Sequence, residues 1–136
     1  MSEQAVWTGG GLVFWSCVLL AMFGFTERAL AAPPSPIGEW VRADGSTKID
    51  ITKCGQDYCA LNIWVRNPNG AEKLGDKLEM TLAPAVSPDI LKGSAYDVRR
   101  QMHYAMTMNL EGAHMRTRGC VLFGFICKSA QWNRVN

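Results

Sequence analysis

Histidine is scarce in this 136-residue chain: there are two, His103 and His114, with no HxH or HxxxH spacing between them. No Gly-x-Ser-x-Gly elbow, phosphate-cradling glycine loop or dinucleotide fingerprint occurs either. Acidic pairs such as Asp76 and Glu79 fall in segments expected to be solvated. These absences remove the usual hydrolase and nucleotide-dependent chemistries, and the two histidines are expected in turns or at the surface. One-sided charge is lacking as well. The formal net charge is +2, and the cations are spread along the chain without forming a stripe. Nucleic acid is therefore not an expected partner, because phosphate recognition needs concentrated positive potential. Neither an enzyme nor a cofactor or metal site is expected.

The chain also lacks an apolar run long enough to cross a bilayer core of about 30 Å comfortably. Its longest uncharged apolar stretch, Leu12–Phe25, gives way to Thr26-Glu27-Arg28-Ala29-Leu30-Ala31, where Ala29 and Ala31 supply the small-x-small pattern of a signal-peptidase site. Residues 1–31 are read as a signal-peptide helix, residues 32–36 as a proline-rich lead-in and residues 37–136 as one domain. Glu3 and the absence of Lys or Arg before the apolar run depart from the usual signal pattern, and a retained anchor is the alternative. Membrane attachment is expected only through that segment, if it stays uncleaved. The expected location is periplasmic or secreted. Residues 32–136 number 105, with 13 basic residues against 10 acidic ones, enough for one small domain and no second.

Four cysteines follow the leader, an even number in a chain expected to be exported, which argues for disulfides. Local pairing, Cys54 with Cys59 and Cys120 with Cys127, suits segments short enough to turn. The rival is a four-thiolate zinc site. Its usual two-to-four-residue spacing is not met by the four and six intervening residues here.

From Ile37 onward the pattern is β. Ile37–Arg42 closes on the hairpin signal Asp44-Gly45. Thr47–Lys53 alternates around Ile49 and Ile51. Cys59–Arg66 places Cys59, Leu61, Ile63 and Val65 on one face, taken as the inner one. Residues 71–77 suit a helical turn or a polar loop, and 84–100 are expected to be largely loop around a short strand at Ile90–Lys92. Further strands are expected at Leu78–Leu82, Gln101–Leu110, Ala113–Arg118 and Gln131–Val135. Many short strands at this spacing indicate an antiparallel sandwich or barrel.

Gly119-Cys120 through Cys127-Lys128-Ser129 to Trp132-Asn133-Arg134-Val135 resembles the close of an uncharacterised bacterial exported family, domain of unknown function 2147. Gly38-Glu39-Trp40 with Asp44-Gly45 resembles its opening. Cys54-Gly55 and Cys59, continuing to Ile63-Trp64, resemble its first cysteine pair and the strand after it. Residues 67–94 depart from the family's pattern, and Tyr96-Asp97 and Tyr104 resemble its later part. The resemblance implies a small antiparallel calycin-type β-barrel with no established activity. Independently, Gly38-x-Trp40 and an arginine on the last strand are similar to lipocalin-like barrels, in which an indole plugs one end and a guanidinium packs across it. Gly38, Trp40, Trp132 and Arg134 are therefore the expected closure residues. Trp132 and Arg134 share one face.

Met102, Tyr104, Met106, Met108 and Leu110 alternate onto one face of a strand, with Met80 and Met115 adding thioethers nearby. Flexible, polarizable thioethers fill cores, and they also line adaptable pockets for varied apolar ligands; as soft donors they suit Cu(I) too. An eight-stranded barrel has room either for its own side chains or for one small ligand. The leading expectation is an exported, non-enzymatic barrel binding a small hydrophobic ligand through Leu61, Ile63, Met102, Tyr104, Met106 and Met108. The alternative is an envelope module with a filled barrel and a protein partner on loops 67–77 and 84–100.

Overall fold

The computed structural model describes residues 31–136. The expected signal segment, residues 1–31, lies outside them but for Ala31. Residues 38–134 form eight antiparallel strands in strictly sequential order: β1 (Gly38–Arg42), β2 (Thr47–Cys54), β3 (Asp57–Val65), β4 (Lys77–Pro84), β5 (Ile90–Asp97), β6 (Met102–Glu111), β7 (His114–Val121) and β8 (Ile126–Arg134). Each strand pairs with the next, and β8 returns to β1 through Trp40↔Arg134 and Arg42↔Trp132. The sheet closes into a barrel, so no strand edge is left to pair with another chain.

Alternation divides each strand into an inner and an outer face. Facing inward are Trp40, Ile49, Ile51, Ala60, Met80, Leu91, Ala95, Met106, Met108, Leu110, Met115 and Trp132, which make one continuous buried cluster. The outer residues are mostly polar. Two local features follow from glycine. Gly45 takes φ 68° between β1 and β2 while Ser46 N–H donates to Asp44 Oδ1 at 2.8 Å. On β5, Gly93 lies so close to β4 that a Cβ there would stand 1.9 Å from the Thr81 carbonyl oxygen. Only glycine fits that approach.

Four expectations change. The inner face of β3 is the one carrying Ala60 and Asn62, while Leu61 points outward and is 42% exposed. Ile63 is the extra residue of a bulge: Lys48 pairs with Trp64 and Ile49 with Asn62, leaving Ile63 unmatched. β8 begins at Ile126 and so contains Cys127, rather than starting at Gln131. Residues 90–97 are a full strand, so the expected 84–100 loop shrinks to the turns on either side.

Candidate functional site

One end of the barrel is shut. Trp40 is fully buried, and its Nε1 donates to the Pro36 carbonyl at 2.8 Å. The Arg134 guanidinium lies over the indole, 4.2 Å from the ring centroid. Its two terminal nitrogens donate to the carbonyls of Ile37 and Ser35, at 2.9 and 2.8 Å. The proline-rich lead-in is thereby strapped across the barrel floor. Gly38, at φ 125°, makes room for the stack, since a Cβ would come within 2.8 Å of Arg134 Nη1.

The other end is open. A cavity of about 1110 Å³ runs from this mouth into the barrel. Its apolar wall includes Ile49, Ile51, Ala60, Leu78, Ala95, Tyr104 and Trp132, together with Met80, Met102, Met106, Met108 and Met115. Five of the chain's seven methionines thus line one space. Such a wall repacks around differently shaped apolar guests at little cost, because each thioether has several accessible rotamers. Trp132 is held in place by its Nε1 donating to Thr117 Oγ1 at 3.0 Å.

The rim is polar and tied down by ion pairs. The β3–β4 loop folds over it, and Glu72 accepts from both Arg42 Nη2 and the hydroxyl of buried Thr47. Arg42 in turn stacks on Trp132, 4.9 Å from the ring centroid. Arg99 and Arg100 both donate to the Ala71 carbonyl, at 2.8 and 2.7 Å, and each also grips an acid, Asp76 and Asp97 respectively. The hydrogen bond from Arg99 holds the Asp76 carboxyl below the usual carboxylate range against the opposing effect of burial, with help from the Lys73 N–H. The same contact raises Arg99. Lys128 also lines the cavity, and among the described residues it has no ion-pair partner.

Both cysteine pairs are bonded: Cys54 to Cys59 across the β2–β3 turn, and Cys120 to Cys127 at the β7–β8 hairpin. Cys120 and Cys127 face each other in register with Cα atoms 4.1 Å apart. His103 is exposed and packs on Tyr96, and His114 pairs with Asn133 Oδ1. Of the expected pocket residues, Met102, Tyr104, Met106 and Met108 line the cavity. Leu61 and Ile63 do not, because alternation and the bulge turn that part of β3 the other way. Trp132 and Arg134 both point inward, each stacked with a partner from β1. The rim residues Arg42, Glu72, Asp97, Arg100 and Lys128 carry no sequence motif. Arg42 and Glu72 lie thirty positions apart, Asp97 and Arg100 are neighbours in the chain whose pairing says nothing of a mouth, and all five meet around one space only when the barrel closes.

A family described as an uncharacterized protein conserved in bacteria, DUF2147, matches residues 38–134, from the first residue of β1 to the last of β8. The chain belongs to this family. No curated protein and no solved structure matches it.

Proposed function

We propose that this DUF2147 barrel is an exported, non-enzymatic carrier or sensor of a small amphiphile. The ligand's apolar body enters the methionine-lined cavity and its polar end stays at the rim. The observation that carries this reading is the cavity: about 1110 Å³ with an apolar wall and a charged mouth, somewhat above the roughly 300–1,000 Å³ of ordinary ligand pockets. Lys128 favours an anionic head, as a lining cation not already committed to a carboxylate. The lipocalin-like assignment is supported by the Trp40–Arg134 stack closing one end while the other opens. Export is supported by the two disulfides and by the leader pattern in residues 1–31.

A filled barrel working through its loops is the less favoured alternative, because its interior would need to be packed. The discriminating experiment is titration of the disulfide-intact protein with a long-chain carboxylate and with the matching alcohol. The expected result is saturable uptake, stronger for the carboxylate, and blocked by Gly119→Phe. The atoms nearest a Cβ at Gly119 belong to Tyr104, at 3.7 Å and beyond, so the added ring has room to enter the cavity. Equal weak partitioning of both ligands into wild type and variant contradicts the proposal.

A further inference from the structure

The β7–β8 hairpin carries features that a simple connection does not need. Its tip, Leu122, Phe123, Phe125 and Ile126, is 62%, 104%, 88% and 54% exposed. Leu122 and Phe123 also occupy left-handed backbone, at φ 51° and 57°. Asparagine or glycine would suit that conformation and the surrounding water better. Large apolar side chains here carry both costs, and the cost of exposure is removed where the tip meets an apolar phase. The Cys120–Cys127 bond crosses the base of the hairpin and fixes it as a projecting finger.

The charge on the finger's own strands is one-sided, whereas the acids of the mouth, Glu72, Asp76 and Asp97, are paired with arginines. From Gly112 to Asn136 there is no Asp or Glu, while Arg116, Arg118 and Lys128 stand on the two strands of the hairpin and Arg134 lies at the far, shut end. Arg116 and Arg118 alternate with Met115, Thr117 and Gly119, which line the cavity, so they face outward. The Arg118 guanidinium reaches back to Cys127 Sγ, at 3.4 Å, beside the disulfide. The adjoining outer positions of β6, His103 through Asn109, carry no acid either.

We propose that this hairpin is a membrane-docking finger for a bilayer surface containing anionic lipids. Leu122, Phe123, Phe125 and Ile126 enter the boundary between headgroups and acyl chains, and Arg116 and Arg118 meet lipid phosphates. Projecting apolar side chains with cations set behind them match a fluid apolar layer lying beneath a charged one. Val121 and Ile126 also line the cavity mouth, so docking sets that mouth against the membrane. Docking stands on the hairpin alone. Only its consequence, ligand exchange between bilayer and barrel, rests on the carrier reading.

The test is co-sedimentation of the disulfide-intact full chain, as recovered from an oxidising compartment, with vesicles of phosphatidylcholine alone or mixed with phosphatidylglycerol. All variants share the same N-terminal residues, so differences between them report the finger. The expected result is binding to the anionic vesicles that falls by at least about tenfold in Phe123→Ser/Phe125→Ser, as withdrawal of two buried rings requires. Arg116→Gln/Arg118→Gln should lower both binding and its salt sensitivity. Val86→Ser, an exposed position at the shut end, should leave binding unchanged. Equal binding by the double-serine variant, with its melting temperature preserved, overturns the proposal. So does wild-type protein that ignores anionic vesicles, including the case where it instead retains a protein through Phe123 and Phe125. Titration with soluble amphiphile in the absence of vesicles reads the cavity separately, so either idea can fail alone.

Discussion

Arg134 lies across the face of Trp40 at 4.2 Å while its two terminal nitrogens bind the carbonyls of Ser35 and Ile37. One side chain thus joins the last strand, the first strand and the lead-in, and it closes the barrel at its floor. Arg134→Ala removes the stack and leaves two carbonyls without donors, which should cost about 2 kcal/mol. Arg134→Lys should recover little of this, because an ammonium lacks the planar fork that reaches both carbonyls. Urea unfolding of the three proteins checks the point, and an unchanged midpoint for the alanine variant would remove Arg134 from the account.

Met106 tests whether the interior is a site or only a core. Because one side of it already borders open space, Met106→Ala should cost about 1–2 kcal/mol, less than the ~2–5 of a fully packed position. Binding of a long-chain carboxylate should change in affinity or in preferred chain length at the same time. Lost stability with identical binding would assign Met106 to packing alone.

Lys128 tests the polarity of the ligand's head. Lys128→Glu should weaken carboxylate binding about tenfold or more while leaving the matching alcohol within about twofold, the pattern expected when one charge contact reverses sign. Isothermal titration with both ligands reads it. Equal losses for the two would place Lys128 outside head recognition.

Acid should loosen the rim. The Asp76 carboxyl is depressed by its hydrogen bond from Arg99. Its contribution is therefore present above the unfolded carboxyl's range of about 4 and is lost as pH falls through the lower folded value. Arg99 is well exposed, 42% at the side chain, so solvent screening should keep the effect modest. Asp76→Asn should flatten the acid limb of the stability curve, and hydrogen exchange of residues 67–76 should rise in acid for wild type. A variant with an undiminished acid limb would contradict this.

Much of the scaffold was readable from short-range signals. Asp44-Gly45 marks a hairpin, Ile49 and Ile51 alternate cleanly, and closely spaced cysteines pair locally. Met102, Tyr104, Met106 and Met108 face one space because β6 runs without a bulge. β3 misled because both its faces are rich in apolar residues, and a bulge at Ile63 is invisible to a period-two count. The start of β8 was hidden because the segment between Cys120 and Cys127 was expected only to turn, whereas strand pairing resumes within it, at Ile126, right after the exposed tip. The rim escaped notice for a different reason. Glu72 finds Arg42 and Thr47, and Ala71 finds Arg99 and Arg100, only after the barrel has closed.

The most direct measurement is native mass spectrometry of protein purified from an oxidising compartment, followed by organic extraction. The account predicts a chain four hydrogens lighter than its reduced form, as two disulfides require, carrying a small amphiphile that extraction removes and that rebinds when added back. A bare chain that takes up neither the extract nor a supplied long-chain carboxylate would contradict the carrier reading.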